Sequence, residues 1–148
     1  MTGSSLPDLS VELVPLARLE VTVGTVAAIG PAPAGQRTVV EVTGAHFEGD
    51  RISAELFGGA AGDWLTLGPD GTTTLDVRLT LKTDDDVLIH MRYGGRSDRT
   101  AEAPYNYVSA LFETADPRYR WLNAVQAVGK GIRVAGSAVV LYDFYEVR

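Results

Sequence analysis

A chain of 148 residues with 13 Lys+Arg against 19 Asp+Glu, net charge −6 and no cysteine has the size of a single domain and no basic run to hold a polyanion. Nucleic acid and anionic membrane are therefore poor partners, and disulfides, thiolate nucleophiles and sulfur-ligated metals are excluded. No basic-then-apolar leader opens the chain and no eighteen apolar residues run together, so the expectation is a cytoplasmic protein with no membrane contact.

The chain opens with MTGSSLPDL, rich in Ser, Gly and Pro. Residues 1–12 are expected to be flexible and residues 13–148 to form one domain. From there period-2 alternation dominates. Ala17, Leu19, Val21 and Val23 alternate with Arg18, Glu20 and Thr22, and similar runs follow at Arg37–Thr43 and Arg51–Phe57. Gly59–Trp64 is the best candidate for a single helical turn. Alternation resumes with Leu75, Val77, Leu79 and Leu81 against Asp76, Arg78, Thr80 and Lys82, then at Val87–Tyr93, Tyr107–Glu113, Trp121–Val128 and Ser137–Val147. GPAPAG, FEGD, GPDG, YGGR and GKG read as the turns between these runs.

About eight to ten short strands with turn chemistry between them predict an all-β fold, a single antiparallel β-barrel. A β-sandwich is the rival architecture. A barrel of about eight strands either fills with side chains or encloses one small ligand.

Nucleophilic catalysis has little support, with no G-x-S-x-G and only His46 and His90 as bases of the usual kind. His46, Glu48 and Asp50, and the run Asp84–Asp86, are weak oxygen or imidazole sites that read more simply as turn residues. Neither a metal nor an organic cofactor is expected.

Carboxylates beside aromatics are more informative. Asp63 precedes Trp64, Asp76 and Arg78 share a strand face, and Glu113 follows Phe112. Burial against rings raises a carboxyl pKa and a neighbouring Arg lowers it, the usual means of tuning an acid or base. The plainer reading makes Asp76–Arg78 a surface ion pair and Asp63 a turn cap. In FETADPRYRWLN, parity places Tyr119, Trp121 and Asn123 on one strand face, and with Glu113 they are expected to line a cavity together with Asp63 or Arg78. Tyr93, Tyr105, Tyr107, Tyr119, Tyr142 and Tyr145 with Trp64 and Trp121 could all line a barrel mouth, and aromatics are also the favoured filling of β-cores.

GAAGDW, LDVRLTLKTDDD, FETADPRYRWLN and the terminal YEVR, preceded by GQRTVVEVTGAHFEGDR, resemble in order and spacing the small bacterial domain-of-unknown-function family 3237 over Leu13–Arg148. The resemblance implies a lipocalin-like antiparallel barrel. It carries over the motif residues Asp63, Trp64, Asp76, Arg78, Thr83, Asp84, Glu113, Tyr119, Trp121, Leu122 and Asn123. Gly44-Ala45 departs from the family's paired glycines, and Asp86 stands where a glycine usually follows two aspartates.

The leading expectation is a cofactor-free barrel enzyme, a lyase, isomerase or cyclase, that moves protons on a small, partly apolar organic molecule. Asp63 or Glu113 would be the acid/base and Arg78 would hold an oxygen. Trp64, Asp76, Tyr93, Tyr119, Trp121 and Asn123 would bind the substrate. The alternatives are a non-catalytic carrier of the same shape and a structural barrel that forms a homodimer.

Overall fold

The structure, a computed structural model, describes Gly3 and residues 5–148. The flexible start expected for residues 1–12 lies partly outside the described residues, at positions 1, 2 and 4. Residues 5–12 are exposed and carry no strand or helix. Nine strands follow: β1 (Leu13–Ala32), β2 (Gly35–Gly49), β3 (Ile52–Leu56), β4 (Gly62–Leu67), β5 (Thr72–Thr83), β6 (Leu88–Asp98), β7 (Asn106–Glu113), β8 (Ala127–Arg133) and β9 (Val139–Val147). Every pairing is antiparallel, as the alternation predicted.

The sheet closes in a ring. Strand β1 pairs with β9 on one edge and β2 on the other, and β5 joins β6 to both β3 and β4, which in turn flank β2. Alternation then sorts the residues. On β5, Thr73, Leu75, Val77, Leu79, Leu81 and Thr83 are buried, while Arg78 on the other face is exposed.

Five aromatic rings run through the interior. Phe112 stacks on Phe47 at 5.7 Å, Phe47 meets Phe144 edge-on at 6.2 Å, and Phe144 stacks on Tyr142 at 5.6 Å. Tyr142 then meets Tyr93 at 5.2 Å. Such pairs add to burial of ring area, the largest apolar contribution per residue in a core.

Three sequence expectations are corrected. GKG is not a turn but the middle of β8, where Gly129 and Gly131 face inward. A Cβ on Gly129 would lie 2.7 Å from the Phe144 ring, and one on Gly131 would strike Tyr142, so the missing side chains make room for the two rings on β9. YGGR likewise lies within β6, where a Cβ on Gly95 would fall on the Tyr107 carbonyl, because neighbouring backbones approach closely there. Gly59–Trp64 is no helical turn, since Gly62–Trp64 opens β4.

The helical turn occurs instead at Arg120–Ala124, a 3-10 helix inside the run read as a strand. Its cause is local. Asp116 precedes Pro117 and its carboxylate accepts from the Arg118 N–H, and three i→i+3 backbone bonds follow, from Tyr119 to Asp116, Leu122 to Tyr119 and Val125 to Leu122. Residues three apart then share a face, so Tyr119, Leu122 and Val125 turn into the core.

The inward glycines set a testable expectation. Gly131→Ala is expected to cost about 1–3 kcal/mol in urea unfolding, because the added methyl overlaps an ordered ring. Gly59→Ala, whose Cβ would meet nothing within 4 Å, is expected to stay within about 0.5 kcal/mol of the parent.

Candidate functional site

The ring has two unlike ends. At the end where β5 finishes and β6 begins, Phe47, Phe112, Leu81, Ile89 and Leu122 fill the interior. At the other, valines replace aromatics. Val21, Val23, Val40, Val42, Val77 and Val140 wall a cavity of about 410 Å³, within the range of small-molecule sites. A break in the pairing helps open it. After bulges near Thr22 and Val23, β1 leaves β9 and from Val26 to Ala32 pairs only with β2 among the described residues. Val26 borders the cavity on that side, Ile132 and Arg133 on the β8–β9 side.

Into this apolar space β4 points Asp63. Its Oδ1 accepts from the Asp76 N–H at 3.0 Å, and Oδ2 has no protein partner among the described residues. Burial pushes its pKa up to about 6, with the Asp76 charge acting in the same direction, while the Asp76 N–H and the Arg99 guanidinium pull it down. Beside it lie Tyr93, fully buried, and Tyr142, whose hydroxyl accepts from Asn106 Nδ2 at 2.9 Å. Burial raises both phenols, Tyr142 to about 12, so both remain neutral hydrogen-bond donors near pH 7. Two arginines reach the same cavity, Arg99 from the β6–β7 loop and Arg133 from the end of β8.

Of the residues singled out from sequence, the cavity gathers Asp63 and Tyr93. The rest lie elsewhere. Glu113 is exposed at the far end of β7, seven residues from Asn106, or about 23 Å at the rise of a strand. Asn123 clamps a loop, accepting from Thr114 N–H at 2.8 Å and donating to Thr114 O at 2.9 Å. Tyr119 donates to Asp85 at 2.8 Å, and Trp121 lies 3.5 Å beneath the Arg51 guanidinium.

FETADPRYRWLN is thus a closure for the filled end of the ring and no wall of the Asp63 cavity: Glu113 and Asn123 border a separate, open surface depression, and the 3-10 turn removes the strand parity that would have aligned Tyr119 and Trp121 with Asn123. Arg78 and Asp76 face outward and pair at 3.5 Å, with Arg92 at 3.9 Å from the same carboxylate. Trp64 follows the inward Asp63 and so turns out, 40% exposed. His46 and Glu48 hydrogen-bond to each other on the exterior, while Asp50 sits in the β2–β3 turn and Asp84–Asp86 in the turn after β5.

Sequence reasoning missed Asn106, Arg99 and Arg133, and named Tyr142 only among the tyrosines. The pattern Gly129-x-Gly131 opposite Tyr142-x-Phe144 carries a signal for Tyr142, since small residues across a strand pair mark where large rings lie. Nothing in the sequence near Asn106, Arg99 or Arg133 distinguishes them from loop and strand-end residues.

Fold and cavity together define an all-β protein whose closed antiparallel sheet surrounds an apolar chamber holding one carboxyl group. The chain belongs to the family described as protein of unknown function DUF3237, which matches residues 11–147. A hydroalkoxylation enzyme of Penicillium herquei is 33% identical over 88 residues, 60% of this chain and 52% of that protein, so the match spans about half of the fungal enzyme's length. A β-barrel-like protein from Acinetobacter baumannii superposes with a TM-score of 0.88 at 28% identity, covering 97% of this chain and 100% of its own. The solved structure of an enzyme from Penicillium herquei matches at TM-score 0.76 and 22% identity over 99% of this chain and all of its own, a likeness of fold alone. Among the described residues no helix is long and apolar enough to cross a membrane.

The raised carboxyl predicts a pH-dependent stability effect. Asp63 holds its proton in the fold up to about pH 6 but in the unfolded chain only to about 3.8, so folded protein binds more protons between those values and stability falls as pH rises through that window. Asp63→Asn is expected to stabilise by about 1–3 kcal/mol at pH 7.5, with the gain fading below pH 4, as read by urea unfolding at both pH values.

Proposed function

We propose that the ring is a lipocalin-like barrel enzyme that binds a small, partly apolar organic molecule and moves a proton on it, with Asp63 as acid and base. The observation that carries this reading is a lone carboxyl, poised near pH 6 by burial, inside a valine-walled cavity of small-molecule size. The relative named as a hydroalkoxylation enzyme supports a particular reaction class, addition of a hydroxyl O–H across a C=C bond or its reversal.

In that direction Asp63 Oδ2 gives its proton to one alkene carbon while the substrate hydroxyl oxygen bonds to the other. The hydroxyl proton then returns to the carboxylate, so one C–H and one C–O bond replace one O–H bond and one π bond, and Asp63 ends as it began. The Asp76 N–H holds Oδ1 and thereby orients Oδ2. Tyr142, which takes the Asn106 amide as donor, has its own hydroxyl proton available for a substrate oxygen. The valine wall keeps water from competing with the internal hydroxyl.

A panel of alkenes bearing a free hydroxyl tests this reading, with products separated chromatographically because internal addition leaves the mass unchanged. Asp63→Asn is expected to lower turnover at least about 100-fold with ligand binding retained, and the wild-type rate to fall as pH rises above about 6, where the acid form is lost. Binding without any turned-over isomer would instead make the protein a carrier. Full activity in Asp63→Asn would remove Asp63 from the chemistry.

A further inference from the structure

We propose that the cavity selects an organic anion, a ligand whose apolar body lies along the valine wall and whose single ionised oxygen group is held at the rim by the Nη groups of Arg99 and Arg133. The inference rests on the cavity being the substrate site and adds the charge of what enters it.

Two arginines from separate elements line one small chamber in a chain whose net charge is −6. Both are fixed by Nε alone. Arg99 Nε donates to the buried Thr73 hydroxyl at 2.9 Å, and Arg133 Nε donates to the Ser137 carbonyl at 3.0 Å. Their Nη groups have no partner among the described residues, and neither arginine forms an ion pair there. Arg18, Arg51, Arg78, Arg92, Arg118 and Arg148 pair with a carboxylate, and Arg37, Arg96 and Arg120, which do not among the described residues, lie outside the cavity lining.

A guanidinium anchored through Nε presents its remaining N–H donors in a fixed plane, the geometry that suits a carboxylate, sulfonate or phenolate oxygen. The one carboxyl among the cavity residues, Asp63, is engaged through Oδ1 with Asp76, and the other polar linings, Thr38, Asn106, Tyr93 and Tyr142, are neutral. Two arginines therefore face a single carboxyl, whose charge Arg99 already feels, so the lining keeps an excess of positive charge that a ligand anion balances. An anion seated there also disfavours ionisation of Asp63 and so keeps the proton donor loaded.

Two dyes with the same aromatic body separate charge from shape: 8-anilinonaphthalene-1-sulfonate, an anion, and N-phenyl-1-naphthylamine, its uncharged counterpart. Fluorescence titration of the intact protein is expected to show the sulfonate bound at least about tenfold more tightly. Added NaCl should weaken the sulfonate and not the amine. In the Arg99→Gln/Arg133→Gln double variant the preference should vanish while the amine's Kd stays within about twofold. Equal affinities in the wild type, a salt-insensitive preference, or a preference that survives the double variant would each overturn the proposal. The salt series needs no variant, so a double variant that fails to fold leaves the proposal open to refutation. Asp63→Asn should keep the sulfonate preference. A protein that prefers the sulfonate but turns over no alkene would therefore sink only the acid/base reading, whereas failure of both dyes to bind would sink the substrate site and this proposal together.

Discussion

Everything in this molecule depends on β1 being hydrogen-bonded along both edges over Arg18–Thr22. With β9 on one side and β2 on the other, it turns a nine-stranded antiparallel sheet into a ring and removes the exposed edges that an open sheet would have to protect. Closure also defines an inside, and with it the meaning of every alternating residue. An inward side chain on a closed sheet meets the opposite wall, so the size of inward residues decides whether the space is filled or hollow.

The two ends show that rule applied in opposite senses. Rings and large aliphatics from β2, β5, β6 and β7 meet at one end, and the 3-10 turn adds Leu122 and Tyr119 to the closure. Valines at the other end are too short to meet across the ring. The aromatic column from Phe112 to Tyr93 forms the floor between the two, so the cavity rests on a rigid, stacked base. Gly129 and Gly131 belong to that floor as much as the rings do, because a side chain at either position would displace Phe144 or Tyr142.

Asp63 acquires its character from this division. Its neighbour Trp64, one residue on, points outward and is half-solvated, and Asp76, across the ladder, is paired with arginines on the exterior. The same residue type one wall apart is thus a surface ion pair in one case and a desolvated acid in the other. Burial costs the ionised form its hydration, and the single N–H from Asp76 only partly replaces it. Arg99 and Arg133, on the loop and hairpin at the open end, are the positive charges that line the same chamber.

The sequence by itself determined the all-β antiparallel class, the family and the parity of most strands, because period-2 alternation and turn chemistry are local and survive without knowledge of the neighbours. It also marked Asp63 and Tyr93 as residues of interest. Tertiary structure alone decided which face turned inward at which end, that GKG and YGGR lie within strands, and that FETADPRYRWLN closes the filled end. Glycine next to glycine reads as a turn from sequence, yet here it makes room for rings and for close backbone approach, which are properties of the partner strand. Asp116-Pro117 and the i→i+3 bonds after it override an alternation that reads as a strand, and that change of period removes the shared face of Tyr119, Trp121 and Asn123, while Glu113 lies apart because it is an outward residue at the far end of β7. The convergence of Asp63, Asn106, Tyr142, Arg99 and Arg133 is a consequence of ring closure, which brings together residues far apart in the chain and leaves no local trace in it.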